Sequence, residues 1–386
     1  MSVLTSRPAL RWALPAAALV AVIGAGSAGK MLVAHADAGL PHRSPQQLLM
    51  DVAQAKVNGL SGTIVQKSDL GLPKLPDFDL GGSGSDLTSM VNGNHTVRFW
   101  YDGPKHVRVS LQGADSQQSD LIRNDRNVWS YHSADKSATH TKLSADEARK
   151  HGAAAPSVLP SGAPTSLKGG IGQMLGDLAP TTRISTDGTA TVAGRQAYEL
   201  VVTPKDNATR VQQIRIAVDG DKHIPLRVQV FARGYNTPAF EASFTHVSFS
   251  KPDASEFTFN PPAGTKVRDV QPGKDEPKGM PPARHGQADA KAHHGDEPKV
   301  IGKGWTSIVV AKGVDTTVPA GKTAEEKKAA AAATKFLNDL PKVHGSWGSG
   351  RLLKSHLVNV LLTDDGRLIA GAVSPDRLYQ AASQTR

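Results

Sequence analysis

The chain has 386 residues, room for two domains of about 150 residues each, and its 39% apolar and 21% charged residues with 37 Gly and 25 Pro exclude a helical bundle and a polytopic membrane protein. The 45 basic and 35 acidic side chains give a formal charge of +10, which favours an anionic partner only where the charge is concentrated. The absence of Cys excludes a disulfide scaffold, a thiol nucleophile, an iron–sulfur cluster and Cys-ligated zinc.

Residues 1–36 read as a signal peptide or an N-terminal membrane anchor. Arg7 and Arg11 precede the apolar run Trp12 to Ala25, and Ala34-His35-Ala36 is a small-x-small cleavage pattern. Gly24 to Gly29 spell a G-x-G-x-x-G, but Pro41-His42-Arg43-Ser44-Pro45 stands where a dinucleotide site needs a second buried strand ending in an acid. Met31 likewise replaces the Ser or Thr of a phosphate loop. The export reading makes the protein extracytoplasmic, secreted or held in the cell envelope. Beyond this segment Lys and Arg are scattered among acids without a basic stripe, so no nucleic-acid partner is expected.

Residues 44–264 form the first expected domain. Ser44-Pro45-Gln46-Gln47 is a capping box with Pro at the first helical position, and Leu48, Leu49, Val52, Ala53 and Val57 continue a helix that Gly59 ends. From Leu60 to Phe259 the period changes to two, as in Val97-Phe99-Tyr101, Val107-Val109-Leu111, Val128 to Tyr131, Tyr198 to Val202, Ile214-Ile216-Val218 and Val228-Val230. Short connections such as Asp102-Gly103-Pro104, Asn124 to Asn127, Asp187-Gly188 and Asp219-Gly220-Asp221 predict an antiparallel meander without parallel crossovers. A second apolar stripe, Leu167, Ile171, Met174, Leu175 and Leu178, lies on a helix weakened by four glycines at about 1 kcal/mol each, which suits a movable cover.

Residues 265–300 lose periodicity, hold five Pro and mixed charge, and read as a disordered Pro/His-rich linker. Residues 301–386 then predict a small α+β module: a strand near Trp305 to Ala311, a helix from Thr323 to Leu340, a hairpin over Leu357–Leu362 and Leu368–Val373, and a helix opened by Ser374-Pro375.

The order of segments resembles the LolA-like superfamily, which comprises lipoprotein carriers and sigma-factor regulators of the MucB/RseB kind. The resemblance is carried by Gly62-Thr63-Ile64-Val65 after the capped helix, Val97 to Pro104, Val107-Arg108-Val109, Asn124 to Tyr131, Gly194 to Leu200, Ile224 to Val228 and Phe257 to Pro262. It implies a mainly β fold with some α, an unclosed antiparallel half-barrel covered by helices, whose concave apolar face holds acyl chains of lipids or lipoproteins. It also implies a bacterial envelope protein and, for the regulator branch, a membrane protein partner, either an anti-sigma factor or a transporter. Asp102-Gly103 before Pro104 departs from the carriers, which place an Arg there, and the Gly/Ser-rich insertion from about Leu70 to Val91 and the module after residue 300 are foreign to the short carriers.

No G-x-S-x-G, H-E-x-x-H, EF-hand or S-x-x-K set stands in a workable context, so a non-enzymatic protein without cofactor or metal is expected. His285, His293 and His294 fall in the linker, where ligands are not held in geometry. The residues expected to line the acyl site and its cover are Phe99, Trp100, Val109, Leu111, Trp129, Tyr131, Leu167, Ile171, Met174, Leu175, Leu178, Val228, Val230 and Phe244.

Overall fold

The computed structural model describes residues 39–72, 93–113, 117–145, 180–270, 298–314 and 324–385. The export segment and the stripe from Leu167 to Leu178 lie outside them. Helix α1 (Pro45–Gln54) begins as its capping box dictates. Gln47 N donates to Ser44 Oγ at 3.2 Å and Ser44 N donates to Gln47 Oε1 at 2.9 Å, satisfying two N–H groups otherwise left free at a helix start. The helix is shorter than its apolar spacing suggests, because Ala55 turns the chain extended at ψ 136° and Val57 packs beyond it. Gly59 serves a different purpose from helix termination: a Cβ there would lie 2.6 Å from the Lys251 backbone.

One sheet is built from β1 (Leu60–Ser68), β2 (Gly93–Tyr101), β3 (His106–Gln112), β4 (Gln118–Asn124), β5 (Asn127–His132), β6 (Ser137–Lys142), β7 (Thr182–Val192), β8 (Arg195–Pro204), β9 (Val211–Asp219), β10 (Pro225–Ala232), β11 (Pro238–Ser248) and β12 (Lys266–Val270). Its order, β12-β6-β5-β4-β3-β2-β1-β11-β10-β9-β8-β7, joins two meanders where β1 pairs with β11 and leaves the sheet unclosed. Tight turns use positive φ at Gly103 (75°), Asp125 (51°) and Ala193-Gly194 (51° and 74°). Asp187-Gly188, expected as a turn, instead stands inside β7 where the register with β8 shifts between Thr186 and Thr189.

The last strand departs from the expected meander, since β12 pairs parallel with β6, Lys266 opposite Ser137 and Val270 opposite Thr141. Its approach explains this. After β11 the chain crosses the sheet through a 3₁₀ turn (Ala254–Phe257), with Phe257 buried 5.6 Å from the His106 ring and Phe259 seated 5.3 Å and 5.5 Å from Trp129 and Tyr131. Strand β12 thus occupies the first part of the stretch read as linker.

The C-terminal unit is the expected small α+β module. Its sheet runs β13 (Lys299–Ile301), β14 (Ile308–Ala311), β18 (Leu368–Gly371), β17 (Asn359–Thr363), β16 (Gly348–Leu353) and β15 (Lys342–Gly345) in spatial order, every pair antiparallel. Helix α2 (Ala324–Asp339) ends where Arg351 donates to the carbonyls of Leu337 (2.8 Å) and Asn338 (3.0 Å). Helix α3 (Pro375–Gln384) buries Leu378, Ala381 and Ala382 against Ile308, Leu352, Leu361 and Ile369. Arg367, nearly fully buried, donates to Trp347 O at 3.1 Å and Ala382 O at 2.6 Å, tying helix to sheet.

Candidate functional site

Cross-strand register sorts the large sheet into two chemically different faces. On the face that carries α1, two rows run across the strands. One pairs Leu200, Ile216, Val228, Ala242, Gln66 and His95, from β8 through β9, β10, β11 and β1 to β2. The other pairs Val202, Ile214, Val230, Phe240 and Ser68 along the same path. A third row, Phe244, Ile64, Val97 and Leu111, extends the apolar surface from β11 to β3. Leu200, Val228, Val230 and Phe244 are buried, whereas Val97, Leu111, Val202, Ile216 and Phe240 are half-buried.

Helix α1 covers one end of this inner face: Leu48 packs on Tyr198 and Leu200, with Ile184 and Ile216 at the border, and Tyr198 Oη donates to Pro41 O at 2.8 Å. The electrostatics agree with an apolar interior. Burial moves the Arg123 guanidinium below its ordinary value, against the opposing pull of Asp125, and burial followed by the charge of Asp102 moves the Tyr101 phenol up. Both residues project from the inner face, paired through Val107.

The opposite face is charged. Glu199 holds Arg215 and Arg227, each at 3.5 Å, and Arg215 reaches Asp187 at 2.9 Å. Arg108 donates to Asp120 at 2.8 Å and lies 5.4 Å from the Trp100 ring centroid. This division separates the residues expected to line an acyl site. Phe99, Val109, Leu111, Val228, Val230 and Phe244 stand on the inner face. Trp100, Trp129 and Tyr131 stand on the outer one, where Trp129 stacks on His140 at 4.3 Å and Phe259 covers it and Tyr131. Leu167, Ile171, Met174, Leu175 and Leu178 lie outside the described residues. Phe240, Ala242, Gln66, Ser68 and His95 join the inner face without having been anticipated; alternation in β11 and β1 was the available signal.

The C-terminal module is docked at the strand ends opposite α1. Thr209 bridges to Val373, and Thr209 Oγ1 and Arg210 N both donate to Ala372 O, at 2.9 Å and 2.7 Å. Trp305 Nε1 donates to Thr182 Oγ1 at 2.8 Å. His356 is the busiest contact: its N donates to Leu70 O at 2.7 Å, its Nδ1 meets Asp69 O at 2.9 Å, its O accepts from Arg210 Nε at 3.2 Å, and its ring lies 4.1 Å from that of Tyr235. Ala372, Leu357 and Trp305 extend the apolar cluster that contains Val228, Val230 and Phe244. The insertion that opens at Leu70 and the extra module, both foreign to short carriers, therefore touch each other. Among the described residues no cluster of three or more His, Asp or Glu is placed to hold a metal, and no helix is long and apolar enough to cross a membrane.

The sheet, its covering helix and its apolar inner face define an open half-barrel of the LolA-like, MucB/RseB type. Residues 92–259, a little under half of the chain, match the family model described as the MucB/RseB N-terminal domain. No curated protein matches the chain. Similar solved structures include the MucA/MucB complex of Pseudomonas aeruginosa, at 15% identity over 88% of this chain and 96% of that one with a TM-score of 0.43. A conserved protein of Thermus thermophilus has 8% identity over 58% and 98% (TM-score 0.32), and a LolA superfamily protein of Nitrosomonas europaea has 10% over 56% and 99% (TM-score 0.22). These likenesses are too distant to carry function.

Proposed function

We propose that the chain is an exported, non-enzymatic binding protein of the bacterial envelope that takes acyl chains of a lipid or lipoprotein on the inner face of its half-barrel. The observation that carries this reading is the set of apolar rows across β8, β9, β10 and β11, spread over an unclosed sheet with half-buried residues in its midst. A chain of about sixteen carbons burying itself there gains about 12 kcal/mol gross, at about 0.8 kcal/mol per CH₂, before ordering costs. The match of residues 92–259 to the MucB/RseB N-terminal domain supports a regulatory version of this role. In that version the half-barrel senses the acyl ligand, and the docked module contributes to a surface for a membrane protein partner of the anti-sigma-factor or transporter kind. The docking of the module onto the sheet favours sensing over simple carriage.

Native mass spectrometry of the full chain, purified from envelope fractions of its own host, tests the reading. Co-purifying acylated species are expected. Empty protein that also takes up neither lipid nor lipopeptide in vitro refutes it.

A further inference from the structure

Both inner-face rows are apolar over β8 to β11 and then change character at β1. The first ends in Gln66 and His95, only 4% and 7% exposed, and the second in Ser68, whose Oγ is buried without a hydrogen-bond partner among the described residues. An amide, an imidazole and a hydroxyl on neighbouring positions of one face cost free energy unless something polar meets them. No Asp, Glu, Lys or Arg stands in either row, so an anionic headgroup would find no fixed countercharge there. The two cations at that end of the strands are engaged with carbonyls, Arg210 with His356 O and Arg233 with Thr209 O, each at 3.2 Å. What the cluster fits is an uncharged group with a hydrogen-bonding oxygen. From β1 to β8 the apolar path crosses four strand spacings, about 19 Å at about 4.8 Å each, the span of a long-chain acyl group.

We infer that Gln66, Ser68 and His95 form the subsite for the ester or amide carbonyl of an acyl ligand, whose chain then lies across β11, β10 and β9 toward β8. This rests on the acyl-binding reading and adds to it the orientation of the ligand and the chemical class of its polar end: an acyl ester or amide, in preference to a free fatty acid or a phosphate.

Two palmitoyl esters carrying a diazirine, one beside the carbonyl and one at the terminal methyl, test the orientation on the full chain. The first should label peptides from residues 60–68 and 93–101, the second peptides from 195–219; swapped or mixed labelling overturns the orientation while leaving the acyl site standing. If neither probe labels the inner face, the acyl reading falls, and the subsite with it. Chemical class is tested by affinity for methyl palmitate, palmitate and hexadecane presented in the same detergent. Methyl palmitate should bind more tightly than palmitate. The double variant Gln66→Leu, His95→Leu should weaken methyl palmitate about tenfold and leave hexadecane unchanged, as expected for one to two lost hydrogen bonds. Equal losses for ester and hydrocarbon, or preferred binding of palmitate, overturn the subsite. Ser68→Ala, which removes a single atom, provides the same ester-specific readout at about threefold should the double variant unfold.

Discussion

Gly71 is the residue on which docking of the C-terminal module can be tested most sharply. Its φ is +61°, and a Cβ placed on it would lie 2.3 Å from Nε2 of His356. Gly71→Ala therefore meets two costs. The left-handed backbone disfavours Ala by about 1–2 kcal/mol. The His356 ring must also retreat, endangering the bonds from His356 N to Leu70 O (2.7 Å) and from its Nδ1 to Asp69 O (2.9 Å), at about 0.5–1.5 kcal/mol each. Together these give about 2–5 kcal/mol, concentrated at the junction because Gly71 lies beyond the end of β1. Gly188→Ala is the control: φ is +68° there, but nothing lies within 4 Å of the added Cβ, so it meets the backbone cost alone. Hydrogen exchange followed by mass spectrometry should show faster exchange in Gly71→Ala at residues 209–211, where Arg210 N donates to Ala372 O, and at 355–358, with β8 to β10 unchanged. Gly188→Ala should leave those segments as in the parent protein. Unchanged exchange at both segments in Gly71→Ala would refute the view that His356 holds the module in place.

Asp219 is fully buried and accepts from Arg195 as well as from the backbone N–H of Asp221 (3.1 Å) and Lys222 (2.7 Å), so Asp219→Ala should destabilise the half-barrel by about 3–5 kcal/mol in urea unfolding, with Asp219→Asn costing less. The hydrogen bond from Arg367, aided by Thr363, holds the Asp365 carboxyl below its ordinary value; the stability it contributes is complete above the unfolded-state value of about 3.9 and disappears as pH falls through the lower folded value. The module's melting temperature should therefore decline below about pH 4, modestly because Asp365 is half exposed, and Asp365→Asn should flatten that part of the profile. Leu48→Ala, which empties the contact of α1 with Tyr198 and Leu200, should cost about 2–5 kcal/mol in thermal or chemical unfolding.

Much of the architecture was legible because local chemistry and tertiary context agree. Ser44 and Gln47 cap α1 as read, and the alternation over Tyr198–Val202, Ile214–Val218 and Val228–Val230 became β8, β9 and β10. Strand β6, Ser-Ala-Thr-His-Thr-Lys, offered no apolar alternation, since one side is covered by an aromatic cluster assembled from elsewhere in the chain. The parallel pairing of β12 was invisible for a related reason: it depends on Phe257 and Phe259 crossing the outer face, a long-range event without a local pattern. The expected lining residues contained their own contradiction, because Phe99 and Trp100 are successive strand residues and must face opposite ways. Which face was inner required knowing where Leu48 lands. Docking of the module was likewise illegible, since Thr209, Arg210 and His356 are ordinary polar residues until register brings them together.

The positions of the proposed subsite and of the docking contact constrain how this protein could signal. Ser68 ends β1, and Asp69, Leu70 and Gly71, the next residues, carry the module through His356. A carbonyl bound at Gln66 and Ser68 would order the end of the strand whose continuation holds the module, so acyl binding and docking share one short piece of backbone. A ligand shifts such an equilibrium only by its differential affinity for the docked and undocked forms, and that coupling is reciprocal. The Gly71→Ala protein, with docking weakened, should therefore bind methyl palmitate with an affinity different from that of the parent, and saturating ester should change exchange at residues 209–211 and 355–358 in the parent protein in the matching direction. Equal affinities in the two proteins, with exchange at the junction indifferent to ligand, would mean that half-barrel and module bind independently and that sensing does not pass through the end of β1.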